Sequence, residues 1–546
     1  MVKHQKISVL LLVIAVTAVA LAPQQADIFF LIKKNFSIFS KTYENVALEY
    51  VDEVDPEKLM RTGVEAMLET LDPYTVIYNE NQNEQAEIQA RGNYAGIGIE
   101  SGYRNGKVVV IAPLEGGPAE KAGLQAGDVI IAVDQFSTDG LQPEEVQSLT
   151  LGEEGSKVTI TINRFGVDQP IDFELTRQRV EEKTVSYVTH VGEEENIGYV
   201  RLNQFNIGSA NEVITAISSL EDERELSGLV LDLRDNPGGV LQEAVAIIDA
   251  FVEKGLMVVD MRGRIAEYNQ TFTTTQPVLF EKPVVVLMNG GSASASEVVA
   301  GALQDLDRAL IVGEQSFGKG LVQIVKPLPY NNSMKITIAR YYIPSGRSIQ
   351  SLEYTHEGAN SGVVKRAPSG KIFKTKNGRV VEESRGIGPD VAVSGEQLDL
   401  LEIALIQKGL IFDFATELHA RLGASEYERL PENSFDEFIN YLEEKEFKYD
   451  NNAQSLLDNL SSEFEGSEEA EKALQKLKEL NKQRNREALI KKKSFIENKL
   501  FLELIARTKG ESGKYKAALT TDDQLNTAIQ YIQSPEKIEL TLSGEN

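Results

Sequence analysis

Cysteine is absent from this 546-residue chain, and histidine occurs only four times. Disulfides, thiolate zinc sites, a cysteine nucleophile and a lipid-modified anchor cysteine are therefore excluded. His4, His190, His356 and His419 are too scattered for a metal cluster, and none sits in a catalytic motif. Basic residues are also scarce: 56 Lys and Arg stand against 83 Asp and Glu, for a net charge of −27. A general nucleic-acid binder needs a basic footprint to neutralise phosphates, so that class drops out. Acidity of this size serves solubility.

What is present is globular, with 42% hydrophobic and 25% charged residues and a length that suits three or four domains. After the lysines of "MVKHQK" comes a mostly apolar run from Ile7 to Ala22. It is short for a membrane span and suits the apolar region of a signal peptide. Ala20-Leu21-Ala22 offers a small-x-small cleavage site, but Pro23 follows it and is a poor residue for cleavage. Residues 1–27 are thus read as a signal peptide or an uncleaved N-terminal membrane anchor. In both cases the rest of the chain is exported.

Residues 28–88 read as a helical lead-in, with apolar residues three and four apart and Asp55-Pro56 restarting a helix. Residues 89–178 switch to short alternating strands broken by glycines: "YAGIGIE", "KVVVIAP", "GDVIIAVD", "KVTITINR" and "IDFELTR". Between them "GGPAEKAGLQAGDVI" predicts a short helix over Pro118–Ala122 and a glycine turn. Residues 179–400 alternate strands with helices, as βαβ units do, and glycine-rich loops follow two of the strands. From 401 to 546 glycines thin out and long helical patterns dominate, with charge content that reads as a solvated surface. The whole is expected to be a multidomain α/β protein.

The stretch "NGGSASASEVVAGALQD" (289–305) sets Ser292, Ser294 and Ser296 on a turn before a helix. A serine nucleophile needs a base for its proton and preorganised N–H groups for the developing oxyanion. With no placed histidine, the candidate base is Lys319 in "GEQSFGKGLVQ", flanked by Gly318 and Gly320. Its ordinary pKa near 10.4 must drop by roughly 3 for work near neutral pH, about 4 kcal/mol that burial in an apolar pocket can supply. Gln323, four residues on, is an uncharged group able to orient a neutral amine. Each stretch alone reads more simply as tight packing or a turn. Their joint occurrence, each after a strand, favours an enzyme.

Residues 89–178 resemble a PDZ domain, with strand, short helix, "GLQAGDVI" and strand in that order. The resemblance implies capture of a peptide's terminal carboxylate by the N–H groups of Gly96, Ile97 and Gly98. Ile97 and Ile99 would help to line an apolar pocket, and the peptide would add as a strand. "LDLRDNPGG" (231–239), the serine stretch and the lysine stretch are similar to core motifs of the C-terminal processing peptidases, or tail-specific proteases. "YYIPSGRSIQ" (341–350) and "GIGPDVAV" (386–393) resemble further motifs of that family. The likeness covers roughly residues 40–400.

That resemblance implies a protease core related to the Clp protease and crotonase superfamily, with the PDZ domain inserted. It implies Ser294 as nucleophile, three residues before Glu297, Lys319 as general base and Gln323 as its orienting partner. Oxyanion donors would be the N–H groups of Ala295 and of a glycine in "NPGG", Gly239 in preference to Gly238. Ser292 and Ser296 are left to cap or pack the turn. No metal or organic cofactor is implied, and partners are proteins or peptides with accessible C-termini. The expected setting is a bacterial periplasm, with anchoring to the inner membrane if residues 1–27 stay attached. The helical region 401–546 is a candidate for dimerisation or adaptor binding. Two rivals share some of these features: a crotonase-like acyl-CoA enzyme, and a PDZ scaffold with an inactive protease domain.

Overall fold

The computed structural model describes residues 28–544 except 81, 84–85, 87–92, 105, 182, 355–362, 366–370, 384–385, 424–425, 449–451 and 465–467. The expected signal or anchor segment, residues 1–27, lies outside the described residues. Among those described, no helix is long and apolar enough to cross a membrane.

The chain forms two compact units. One comprises the N-terminal residues to Asn83 together with Gln323–Thr337 and Tyr354–Val364. Its helix Pro56–Glu69 starts where the sequence predicts: the Asp55 carboxylate accepts the N–H groups of Glu57 and Lys58, and Pro56 needs no partner for a missing N–H. Val76–Tyr78 pairs antiparallel with Ser333–Lys335.

The other unit contains everything else, beginning with a small antiparallel sheet. Its strands are β1 (Ile99–Arg104), β2 (Lys107–Pro113), β3 (Val129–Val133), β4 (Lys157–Asn163) and β5 (Ile171–Thr176), in that spatial order. Alternation in β4 sends Val158, Ile160 and Ile162 inward to meet Val108, Val110 and Ile130. β1 is an edge strand, with helix α1 (Pro143–Thr150) packed near it.

A six-stranded sheet follows, built from β6 (Val185–Val191), β7 (Ile197–Leu202), β8 (Gly228–Asp232), β9 (Val284–Met288), β10 (Leu310–Gly313) and β11 (Val391–Ala392). All neighbours are parallel except the antiparallel pair β6–β7. β8, β9 and β10 are buried along their whole length, which is why they read as unbroken apolar runs rather than alternating ones. Helices α2 (Ser209–Glu223), α3 (Leu241–Asp249) and α4 (Ala295–Asp305) share one core with one face.

The opposite face is covered from far along the chain. Leu525, Ala528 and Ile532 of α5 (Asp523–Ile532) and Ile538 pack on Tyr199, Val230, Val285 and Leu310. The remaining C-terminal helices have a separate core around Phe414, Phe438 and Leu500. The architecture is thus multidomain α/β with a largely helical C-terminal region, as the sequence predicts.

Candidate active site

The loops after β8 and β9 leave the carboxyl ends of adjacent parallel strands, where α/β sheets place their sites. They carry "RDNPGG" and "GGSAS", and their backbones touch. A Cβ added to Gly238 (φ +97°) would stand 2.8 Å from Ala293 O, Ala295 N and Ser294 Cβ. One on Gly239 (φ +150°) would stand 2.1 Å from Phe205 O. Only glycine satisfies both the dihedrals and these approaches.

Asn236, fully buried, ties the two loops together. Its Oδ1 accepts the Gly238 N–H at 2.9 Å and its Nδ2 donates to Leu202 O at 2.8 Å. Its carbonyl accepts from Ala293 N–H at 3.0 Å and from Ser296 Oγ at 2.9 Å. The Gly238 N–H is therefore occupied. Among the described residues, the Gly239 N–H meets no acceptor. Ala295 heads α4, where first-turn amides have no partner within the helix.

The three serines are not equivalent. Ser292 Oγ donates to Leu233 O at 2.8 Å and accepts from Asn289 N–H at 3.0 Å. Ser296 Oγ donates to Asn236 O. The Ser294 hydroxyl makes neither bond and lies near the phenol of Tyr341. Burial pushes that phenol up to about 12, so it stays protonated at any working pH. Ser294 itself takes φ 55° and ψ −111°, a conformation few non-glycine residues adopt, and such strain is stored where it has a use. The helix α4 begins directly after this strained residue, at Ala295.

Glu297 compensates for that strain. Its carboxylate is fully buried and accepts four hydrogen bonds, from Ser294 N–H (2.8 Å), Lys319 N–H (2.8 Å), Gly318 N–H (2.7 Å) and Ser316 Oγ (2.6 Å). Burial moves its pKa upward, and the four donors offset part of that rise. The serine loop and the lysine loop are thus joined through one side chain. A further bond runs from Phe317 N–H to Ser292 O at 3.0 Å. The lysine loop is clamped from its other side as well: Gly320 N–H donates to Gln350 Oε1 at 2.7 Å, and Tyr341 N–H donates to Gly320 O at 2.9 Å.

Ser294, Ala295, Gly238, Gly239 and the Lys319 backbone are therefore brought together. The Lys319 side chain is half-buried. Gln323 lies on the strand Leu321–Pro327, and its Nε2 donates to Thr337 Oγ1 at 3.2 Å. The sequence alone assigns no role to Asn236 or Tyr341, and in it Glu297 serves only as a spacing marker. The asparagine beside "PGG" was the available signal for the first.

In the small β-sheet unit, Ile97 is sealed into the core, whereas Ile99 at the start of β1 is half-exposed. The carbonyls of Ile97 and Gly98 accept from Ala119 and Leu114. Among the described residues, the N–H groups of Ile97 and Gly98 have no backbone acceptor. Gly96 ends the strand Asn93–Gly96, which pairs with Gln178–Glu181.

Comparison with known proteins agrees with these features. Residues 196–357 match peptidase family S41, residues 109–164 match a PDZ domain, and residues 401–532 match the C-terminal helical domain of probable PDZ-proteases. A carboxy-terminal-processing protease of Bartonella bacilliformis is 40% identical over 326 residues, covering 59% of this chain and 74% of that one. Carboxy-terminal processing protease CtpB of Bacillus subtilis is 34% identical over 337 residues, covering 61% and 68%. Among solved structures, a photosystem II D1 C-terminal processing protease is 29% identical, with TM-score 0.36 and coverage of 67% and 95%. The chain belongs to the carboxy-terminal-processing proteases of peptidase family S41, serine-type peptidases that carry a PDZ domain.

Proposed function

We propose that this chain is an exported endopeptidase that captures protein C-termini on its PDZ domain and cleaves near the tail through a Ser294–Lys319 dyad. Neutral Lys319 takes the Ser294 proton as Oγ attacks the scissile carbonyl carbon. The tetrahedral oxyanion is held by the N–H groups of Gly239 and Ala295. Lys319 then passes the proton to the leaving amine, and the carbon–nitrogen bond breaks to leave an ester on Ser294. Water attacks that ester with Lys319 again as base, releasing the carboxylate product and free serine. Gln323 is the amide that orients the neutral lysine, a role resting on its spacing four residues beyond it. The observation that carries the reading is the close approach of Ser294 and Ala295 to the Gly238–Gly239 turn, while the hydroxyls of Ser292 and Ser296 are spent on backbone carbonyls.

In the PDZ domain the open N–H groups of Ile97 and Gly98, with Gly96, receive the terminal carboxylate. The tail pairs along edge strand β1, with half-exposed Ile99 as the open wall of its apolar pocket and buried Ile97 beneath it. The apolar segment Ile7–Ala22 supports export to the periplasm, with residues 1–27 as leader or anchor.

The test is cleavage of a model substrate with an unstructured apolar tail. Wild type should cleave it, and Ser294→Ala and Lys319→Ala should both abolish turnover. Binding without cleavage by the wild type would leave a scaffold instead of an enzyme.

A further inference from the structure

Arg234 lies in the turn that carries the oxyanion loop, two residues before Asn236, and its side chain is 12% exposed. Its Nη2 meets Asp232 Oδ2 at 2.6 Å, at the end of β8. The same nitrogen meets Asp522 Oδ2 at 2.6 Å, and Nη1 donates to Gln524 Oε1 at 3.0 Å, 290 residues further along the chain. Both partners stand at the start of α5. Asp522 is the helix's N-cap and accepts the Leu525 N–H at 3.0 Å. Gln524 is fixed in turn by donating to Val393 O at 2.8 Å.

The helix that presents them is anchored. Leu525, Ala528 and Ile532 are buried against the sheet. Ile532 packs so closely that a Cβ on Gly228 would stand 2.4 Å from its Cγ2. A second arginine reinforces the turn: Arg201 pairs with Asp232 at 3.1 Å and Asp235 at 3.6 Å, under the ring of Tyr515. An unbroken line of contacts therefore runs from α5 through Asp522 and Arg234 to the turn. From there it runs through Asn236 to Gly238, Ala293 and Ser296. Asp232, the last residue of β8, ties the guanidinium to the central sheet, while Asp522 and Gln524 tie it to α5.

We propose that Asp522 and Gln524 are positioning residues for the oxyanion loop, so that the C-terminal helical segment is a working part of the protease site. This rests on the reading that Gly239 and Ala295 bind the oxyanion. A hydrogen-bond donor displaced by a fraction of an ångström stabilises the transition state less while leaving ground-state binding intact. The loss therefore falls on kcat.

The experiment compares full-length wild type with Asp522→Asn, Asp522→Glu, Gln524→Ala, Leu500→Ala and Ser294→Ala on the tailed substrate, reading kcat, KM and Tm. Asp522→Asn should lower kcat roughly tenfold to hundredfold with KM unchanged, the scale of a misplaced catalytic geometry. Asp522→Glu should recover most of that loss, and Gln524→Ala should lower kcat in the same sense by less. Leu500→Ala opens the separate core of the other C-terminal helices and should lower Tm while leaving kcat unchanged below the transition. Should Asp522→Asn fail to fold, Gln524→Ala decides the matter by the same readout. Wild-type kcat in both Asp522→Asn and Gln524→Ala would overturn the positioning role, as would a kcat loss that merely tracks Tm across the set including Leu500→Ala. Full turnover by Ser294→Ala would instead overturn the mechanism beneath it.

Discussion

The buried carboxylate of Glu297 accepts the amide N–H of Ser294 at 2.8 Å, and the same oxygen accepts the amide N–H of Lys319 at 2.8 Å. The residues proposed as nucleophile and base are thus held on one atom by their backbones. Its second oxygen, on Ser316 and Gly318, completes a four-donor set that suits a carboxylate alone. In Glu297→Gln an amide NH₂ must face two of those donors. We expect kcat to fall roughly a hundredfold and stability to fall by about 1–3 kcal/mol from unsatisfied buried groups. Steady-state kinetics and denaturant unfolding check the two effects separately.

Ser292 and Ser296 spend their hydroxyls on the carbonyls of Leu233 and Asn236. Their alanine variants should each lose about 1–2 kcal/mol of stability and keep hydrolysis at folded temperatures. Inactivity in either alanine variant with normal stability would mean that the nucleophile has been assigned to the wrong serine.

The Tyr341 phenol lies near the hydroxyl of Ser294, and Tyr341→Phe removes the phenol oxygen while keeping the ring. A single neutral hydrogen bond contributes about 0.5–1.5 kcal/mol, so kcat should drop by roughly threefold to tenfold. A change confined to KM would place the phenol in substrate binding instead.

Acid stability should depend on the buried pair at the start of the oxyanion loop. Burial pushes the Asp232 carboxyl up, but Arg234, with Arg201 and the Tyr199 hydroxyl, outweighs it and holds the group at about 2. Because this pKa is depressed on folding, the contribution is present above the unfolded value of 3.8 and is lost as pH falls toward 2. It amounts to roughly 2 kcal/mol. Unfolding free energy measured from pH 5 to pH 2 should fall along this course in the wild type. Asp232→Asn should be less stable at pH 6 and show a shallower decline.

On the PDZ side, Ile99→Asp removes an apolar wall and sets a negative charge near an incoming carboxylate, without opening the core that Ile97 fills. Loss of one buried aliphatic contact, about 1.5–3 kcal/mol, weakens tail binding tenfold or more. Titration with a labelled tail peptide measures this directly.

Much of this was written locally in the sequence. Buried parallel strands show as apolar runs, and loops whose backbones touch must be small, so "NPGG" and "GGSAS" stand out after β8 and β9. What the sequence hides is long-range pairing. Nothing at Asp522 announces Arg234, because a helix-capping aspartate looks alike whether or not it also meets a buried arginine. The phenol of Tyr341 is equally silent, since its partnership with Ser294 arises only when a distant strand crosses the site. Helix α5 reads as one more helix of the C-terminal region, although its apolar face packs on the central sheet.

The central claim is that Ser294 is acylated with Lys319 as its base. The direct measurement is intact-protein and peptide mass spectrometry after reaction with a slowly released acyl substrate. An adduct is expected on Ser294 in the wild type, with none in Ser294→Ala and almost none in Lys319→Ala. An adduct on Ser292 or Ser296, or undiminished acylation in Lys319→Ala, would contradict it.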